Sequence, residues 1–259
     1  SFAYPNSPEL LHDVSFTIPV GTTLGILGGT GSGKSTLAHL LSRLYPLPAD
    51  CGTIRVGGRD IQSMRSQWVR RNVGFVLQEP FLFSRSIAEN ISITRPELDL
   101  GEVRRSAKAA CLERAVDEFP SGFDTFVGER GVTLSGGQKQ RAAIARTLTQ
   151  KAPILIFDDS LSAVDAETDA EIRANLKQYM GKATVILISH RITTQYYRIW
   201  RKYAYPATFE AGGRDATSRC LLGLVGLGIP GTADRVATPV SRFLALLGTM
   251  RLPTRNAEG

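Results

Sequence analysis

The sequence has few of the residues that build disulfide frameworks or metal clusters. Its 259 residues include three cysteines and three histidines. Cys51, Cys111 and Cys220 stand far apart, and no C-x-x-C pair occurs. We read them as reduced thiols, typical of a cytosolic compartment, which argues against a disulfide-stapled secreted scaffold and against a Cys/His metal site.

Long apolar runs are also missing. The longest candidate, residues 221–229, is rich in glycine and falls well short of the roughly 18 residues that a membrane helix needs. No signal-peptide pattern occurs. Because the chain begins with Ser1 and runs almost at once into structured sequence, we expect it to be a fragment of a longer polypeptide.

A strong charge of either sign is absent from most of the chain. The formal net charge is +7, but residues 195–259 hold nine basic and four acidic side chains and so carry +5 of it. The first 194 residues are therefore close to neutral, which disfavours a nucleic-acid or anionic membrane surface there. With 42% hydrophobic and 21% charged residues, the composition is that of a globular protein.

What the sequence does contain is a glycine-rich loop between a buried strand (residues 22–27) and a helix (apolar residues at helical spacing in 37–41). The loop fits G-x-x-x-x-G-K-[ST], in which backbone N–H groups cradle phosphates, a lysine reaches the β- and γ-phosphates and a hydroxyl binds Mg²⁺. Its residues are Gly28, Gly29, Thr30, Gly31, Ser32, Gly33, Lys34, Ser35 and Thr36. The loop predicts a nucleotide phosphate at the start of that helix.

Polar residues also follow the other predicted buried strands. Gln78 follows residues 73–77, Asp158 and Asp159 follow 153–157, and His190 comes shortly after 184–188. Strands that alternate with helices predict a parallel sheet, whose ligands bind at the carboxyl ends of the strands. We therefore expect these side chains and the glycine loop to share one edge.

Two further segments have a distinct pattern. Residues 14–18 alternate apolar and polar side chains, as a half-buried strand does. From residue 85 to about 118, apolar residues recur at helical spacing without strong strands, which predicts a helical subdomain inserted into the α/β core.

Residues 1–194 resemble the nucleotide-binding domain of an ABC transporter. The most specific motif is similar to the ABC signature and consists of Leu134, Ser135, Gly136, Gly137 and Gln138. Residues 78–83, 87–91 and 127–131 resemble exporter sequences. The resemblance implies an α/β P-loop NTPase core with a mixed, mainly parallel sheet, an N-terminal antiparallel β portion and a helical subdomain at about 85–150.

The resemblance also implies a role for each matching residue, with ATP and Mg²⁺ as cofactors. Tyr4 would stack on adenine, Lys34 would neutralise phosphate charge, and Ser35, Gln78 and Asp158 would hold or sense the metal. The signature residues would contact ATP bound to the opposite subunit. Residues 162–165, ending in Asp165, resemble the D-loop that links two sites across a dimer, and His190 resembles the switch histidine.

Asp159 departs from the family pattern. Most active members carry glutamate there, which orients or deprotonates the attacking water. Aspartate is shorter by one C–C bond, roughly 1.5 Å, and a misplacement of about 1 Å can cost around 10²-fold in rate. We expect a slow site, typical of one half of a heterodimeric exporter, unless a backbone shift restores the reach.

After residue 194 the family pattern stops. Residues 195–259 mix Gly, Arg, Leu and Thr without a clear period, and eight of their nine basic residues are arginine. Three explanations stay open: a frameshift near codon 195, which we rank first, a divergent C-terminal extension, or a basic arm that binds nucleic acid or membrane, for which stacking aromatics occur only at 196–203.

The sequence thus predicts an ATP-driven motor domain of a membrane exporter on the cytoplasmic face of the membrane. Its expected partners are a second cassette and a transmembrane domain of the same full-length chain, with no nucleic acid. Two other functions stay open, a regulatory cassette that binds ATP without hydrolysing it and a soluble ABC ATPase. Nothing in the sequence names the exported molecule.

Overall fold

The computed structural model describes residues 1–131, 133–160, 164–179, 183–189, 204–210 and 219–225. The strands are β1 (Phe2–Ala3), β2 (Glu9–Leu11), β3 (Thr23–Gly28), β4 (Arg55–Val56), β5 (Arg59–Asp60), β6 (Val73–Val76), β7 (Arg85–Ser86), β8 (Phe126–Val127), β9 (Ile154–Asp158), β10 (Thr184–Ser189), β11 (Ala204–Glu210) and β12 (Arg219–Val225). The α-helices are α1 (Lys34–Leu41), α2 (Ser66–Asn72), α3 (Ile87–Ser92), α4 (Leu100–Ala109), α5 (Glu113–Asp117), α6 (Gly136–Thr149) and α7 (Ala166–Tyr179).

A six-stranded sheet in the order β11-β12-β3-β10-β9-β6 forms the centre of the fold. Strands β3, β10, β9 and β6 are parallel, whereas β12 and β11 are antiparallel to their neighbours. The predicted mixed, mainly parallel sheet is confirmed. The carboxyl ends of the parallel strands meet at one edge, where ligands bind in such sheets.

The two faces of this sheet pack against different cores because successive strand residues point to opposite sides. In β9, Leu155 and Phe157 face the core that includes α6 and the helical segment, whereas Ile156 faces the core that includes α1. Strand β10 divides in the same way, with Val185 in the first core and Ile186 in the second. Helices therefore cover both faces, and the interior residues of β9 and β10 are apolar.

The N-terminal portion forms a short antiparallel pair, β1 with β2. This confirms the predicted N-terminal antiparallel β portion. Residues 14–18, which we predicted as a strand, are in no strand, although Val14, Phe16 and Ile18 still pack against the second core. Their alternation reflects one-sided burial without a ladder of hydrogen bonds, and periodicity alone does not separate the two.

Helices α3, α4 and α5 occupy the segment predicted to be helical. The segment is fastened at its start by β7, which pairs with β8, and by a capping box between Ser86 and Glu89 at the start of α3. Within the described residues, no helix has the length and apolar character to cross a membrane.

Candidate nucleotide site

The glycine loop connects β3 to α1 at the carboxyl edge of the sheet, as predicted. The ammonium of Lys34 donates to the carbonyl oxygens of Gly28 at 2.8 Å and Gly29 at 2.6 Å, and to Oγ of Ser32 at 3.2 Å. Ser32 in turn donates to the Gly29 carbonyl at 2.8 Å. The lysine thus lies along the loop, where an incoming phosphate group would compete for its charge.

Two glycines have the left-handed backbone that the loop requires. Gly31 and Gly33 both have φ of +81°, and Gly33 precedes the first residue of α1. A Cβ on Gly33 would lie 2.6 Å from Cδ2 of Leu11, whereas a Cβ on Gly29 or Gly31 would meet no atom within 4 Å. The space beside Gly29 and Gly31 is therefore open, and the N–H groups of the loop and the start of α1 suit an anion.

Ser35 and Asp158 meet across the sheet edge. The Ser35 side chain lies beside the carboxylate of Asp158, which ends β9 and is 4% exposed. Burial raises the pKa of Asp158, and the neighbouring Ser35 hydroxyl opposes that rise. A cation beside the carboxylate would favour its ionised form, so this pair suits a divalent metal.

The donor set fits Mg²⁺, which is held in nucleotide sites by one or two protein oxygens together with phosphate oxygens and water. In the described residues no group of three His, Cys, Asp or Glu side chains could hold a metal without such help. Ser35 and Asp158 would hold the ion, and its chemistry would be to neutralise phosphate charge.

Asp159 is 7% exposed and follows β9 with φ of +43°. Its backbone N–H donates to the Ile188 carbonyl at 2.9 Å, and its Oδ1 accepts from the Ser189 hydroxyl at 3.4 Å. Aspartate tolerates the left-handed conformation better than most residues. The residue is thus fastened to the end of β10 through both its backbone and its side chain.

Tyr4 lies against the helix that follows the loop. Its hydroxyl donates to Oγ1 of Thr36 at 3.0 Å. Its ring packs edge-to-face on Phe2 at 5.1 Å and on Tyr45 at 4.9 Å between centroids. The structure thereby places the aromatic side chain proposed for adenine next to the predicted phosphate loop.

The signature motif begins α6. Ser135 caps the helix, and its side chain and that of Gln138 accept N–H groups reciprocally. Leu134 is buried in the first core, whereas Ser135 and Gly136 are exposed. The helix start is thus presented to the surface, and Gly137 lies within its first turn.

Gln78 lies just beyond β6 with its side chain exposed. Its backbone carbonyl accepts from Nε2 of Gln140 in α6 at 3.3 Å, so the segment after β6 contacts the signature helix. Asp165 lies at the start of α7, where the Thr168 N–H lowers its pKa. His190 and residues 161–163 lie outside the described residues.

Three residues near the site were missed by sequence reasoning. Arg146 and Gln140 are polar residues of α6, and Tyr45 contacts Tyr4. A signal for Arg146 did exist, because it is a charged residue within the apolar run from 142 to 148. Spacing alone does not reveal which way such a side chain points.

Comparison with known families decides the identity of this arrangement. A family model described as ABC transporter matches residues 11–162, more than half of the chain. The chain belongs to the ABC transporter family.

Several relatives within the ABC transporter family are named for export or translocation. The exotoxin translocation ATP-binding protein PaxB of Pasteurella aerogenes is 44% identical over 190 residues, which are 73% of this chain and 26% of PaxB. The putative multidrug export ATP-binding/permease protein YgaD of Bacillus subtilis is 42% identical over 195 residues, 75% of this chain and 33% of YgaD. The chain thus spans about a quarter to a third of these relatives.

A solved structure agrees in fold. The structure of a bacterial Atm1-family ABC exporter with ATP bound superposes with a TM-score of 0.71 at 40% identity, covering 74% of this chain and 33% of that one. The predicted α/β P-loop NTPase fold is confirmed.

The end of this ABC chain has a second likeness. A family model described as Type VI secretion, TssG, matches residues 177–259. The match is confined to about a third of the chain and overlaps β10, a central strand of the sheet.

Proposed function

We propose that this chain is the ATP-binding and hydrolysing motor domain of an ABC exporter and that its own site turns over slowly. The observation that carries the proposal is the placement of Ser35 next to Asp158 beside the glycine loop. It joins the residue types that hold Mg²⁺ to the loop that binds phosphates, at one edge of a parallel sheet. ATP and Mg²⁺ are the cofactors of this site.

Tyr4 supports adenosine as the base and sugar of that nucleotide. Its bond to Thr36 fixes the ring beside α1, and an aromatic face at this position can stack on a base. Lys34 would turn from the loop carbonyls toward the β- and γ-phosphates, since an anion is its stronger partner.

A slow site follows from Asp159. Its backbone bond to Ile188 and its side-chain bond to Ser189 oppose the backbone shift that would extend its reach. Gln78 and His190 would complete the catalytic group by sensing the γ-phosphate. The short side chain of Asp159 also fits a second function, that of a regulatory cassette that binds ATP and only dimerises.

We assign the chain to one half of a heterodimer on the following grounds. Ser135 and Gly136 are exposed at the start of α6, where N–H groups favour an anion that another subunit brings. The partner's P-loop, with a glutamate in place of Asp159, would then hydrolyse ATP against this intact signature, residues 134–138. Asp165 would lie between the two sites.

A transmembrane domain is the proposed partner of an exposed aromatic surface. Phe81 and Phe83 are 53% and 43% exposed and pack edge-to-face at 5.0 Å, three and five residues after Gln78. Phe126, on β8, is 62% exposed. Because relatives about three times longer are named ATP-binding/permease proteins, we place the permease part of the full-length protein on this surface, at the cytoplasmic face of the membrane.

We propose domain limits of 1–194 for the cassette, with a helical subdomain at about 85–150, and 195–259 for an atypical tail. The likeness of residues 177–259 to a second family supports an in-frame origin for the tail, because an out-of-frame segment carries no family pattern. Sequencing the gene through codon 195 and reading its other two frames would test this.

The function is tested in two steps. First, the purified chain should bind a fluorescent ATP analogue in the presence of Mg²⁺, and Lys34→Ala should abolish the binding. Second, the chain should be mixed with an exporter cassette that carries glutamate directly after the aspartate that corresponds to Asp158. Ser135→Ala should then lower phosphate release strongly, whereas Asp159→Asn should lower it little.

The assignment of this chain to the slow half of a heterodimer is wrong if Asp159→Asn abolishes ATP turnover while Ser135→Ala leaves it intact. Binding without turnover in any mixture would favour the regulatory cassette. Asparagine tolerates the φ of +43° as aspartate does, so Asp159→Asn removes the charge without adding strain.

A further inference from the structure

A half-buried arginine joins the signature helix to the aromatic segment. In α6, Arg146 donates from Nε to the Asn90 carbonyl at 2.8 Å, from Nη1 to the Phe81 carbonyl at 2.9 Å and from Nη2 to Oδ1 of Asn90 at 3.1 Å. Its guanidinium also lies 5.7 Å from the centroid of the Phe83 ring. One side chain thus contacts both the segment after Gln78 and helix α3.

Burying this cation is costly for the fold. Burial lowers the pKa of Arg146 to about 10. None of the ion pairs among the described residues includes Arg146. Its guanidinium bonds to backbone carbonyl oxygens instead of to a carboxylate. An apolar residue at this position would avoid the desolvation cost of the guanidinium. We therefore attribute the contribution of Arg146 to its directed hydrogen bonds and not to its charge.

Asn90 is the second half of the connection. It is 1% exposed, and its Oδ1 also accepts the Phe83 N–H at 2.8 Å. Its amide nitrogen donates to the carbonyls of Phe83 at 2.9 Å and Ser86 at 3.0 Å. The Asn90 amide therefore holds residues 83–86 through both its nitrogen and its oxygen. The same oxygen also accepts a hydrogen bond from Arg146.

We propose that Arg146, together with Asn90, is a positioning residue that makes residues 79–86 move as one body with α6. The proposal rests on the proposed function, since it concerns how a change at the nucleotide site reaches the aromatic surface. Gln140 joins the same helix to the Gln78 carbonyl nearer its start, so α6 contacts this segment at two points six residues apart in the helix. The Ser135 end of α6 and the Phe81–Phe83 surface then shift together.

The test is hydrogen–deuterium exchange of the full 259-residue chain with and without Mg²⁺ and a non-hydrolysable ATP analogue. In the wild type, the analogue should slow exchange in residues 28–36 and also change exchange in 79–86 and 134–140. Arg146→Lys keeps the charge but loses the planar fork that reaches three oxygens. It should leave the change at 28–36 and the analogue's affinity intact, and reduce the change at 79–86 roughly fivefold, within the usual range of coupling between sites.

Arg105→Lys is the matched control, because Arg105 is exposed on α4 and its pairing with Glu102 is a surface contact at 3.8 Å. It should behave as the wild type does. Asn90→Ser is a second variant, which removes the same connection from the α3 side and should give the pattern of Arg146→Lys.

Each outcome decides the matter. If residues 28–36 do not respond to the analogue in the wild type, the proposed function fails and this inference fails with it. If they respond and Arg146→Lys retains the full change at 79–86, the positioning role alone is wrong. If both variants lose the fold altogether, Arg146 is a structural residue and the inference is overturned.

Discussion

The Ser35 side chain lies beside the carboxylate of Asp158, so the first turn of α1 meets the last residue of β9. This contact lies at the sheet edge at which ligands bind in parallel sheets. It also stabilises an ionised carboxylate that burial disfavours.

Asp158→Asn should therefore stabilise the nucleotide-free chain. Because the pKa of Asp158 is raised in the fold, the unfolded chain ionises more readily, and stability falls as pH rises above the ordinary aspartate value. Removing the charge should therefore raise Tm at pH 7.

The pH dependence separates this cause from a packing effect. The gain in Tm should shrink as pH falls below the ordinary aspartate pKa, where the wild-type carboxyl is protonated too. The same variant should lose the Mg²⁺-dependent gain in ATP affinity. A lower Tm at pH 7 would show that the carboxylate stabilises the nucleotide-free fold.

Two glycines of the loop form a matched pair for substitution. Gly33→Ala places a Cβ 2.6 Å from Leu11 and forces a φ of +81° on alanine, which costs about 1–2 kcal/mol before the clash is counted. Gly29→Ala meets no atom within 4 Å and should leave Tm unchanged.

The two variants should differ in binding as well as stability. The methyl of Gly29→Ala would add bulk to the phosphate loop in a space that is open without ligand, and should weaken binding of the ATP analogue at unchanged Tm. Thermal unfolding and fluorescence titration measure both. Equal losses of Tm in the two variants would contradict the loop geometry.

Tyr4 allows the adenine proposal to be separated from a local packing role. Tyr4→Ala should weaken ATP binding by about 1–3 kcal/mol, the usual loss of a stacked base on alanine substitution. Tyr4→Phe keeps the ring and loses only the bond to Thr36, so most of the affinity should remain.

Tyr45→Phe is the control for this pair, since it keeps the edge-to-face contact with Tyr4. Isothermal titration with ATP and with inorganic triphosphate measures the effect. Equal losses for both ligands in Tyr4→Ala would show that the ring supports the loop and does not bind the base.

The sequence allowed the loop, the signature and the acidic strand end to be placed on their elements because local spacing decides each of them. Ser135 and Gln138 stand three residues apart, as a capping box requires, and the structure shows both bonds. The apolar run before Asp158 predicts a central strand, and β9 is one.

Other features depend on contacts that spacing does not encode. The left-handed φ of Asp159 occurs together with a backbone bond to Ile188 in another strand, which local spacing does not reveal. The inward direction of Arg146 depends on carbonyl groups 56 and 65 residues away in the chain. Residues 14–18 show the reverse case, in which alternation was present but these residues pair with no strand among those that the structure describes.

Strand β12 gives the tail a testable role in the cassette. Residues 220–225 pair with Gly28–Thr23 in antiparallel register, next to the strand that leads into the glycine loop. Because β12 lies between β3 and β11, each of its N–H groups faces one strand or the other. Truncation after residue 194 should therefore lower Tm and speed hydrogen exchange in residues 23–28.

A single substitution isolates β12 from the rest of the tail. Leu222→Pro removes an N–H from a strand that is paired on both sides, which an interior strand does not tolerate. It should reproduce the faster exchange of residues 23–28, whereas Leu222→Val, a good strand former, should not. If neither the truncation nor the proline changes exchange in β3, the tail does not stabilise the ATP-binding edge, and the cassette is complete at β10.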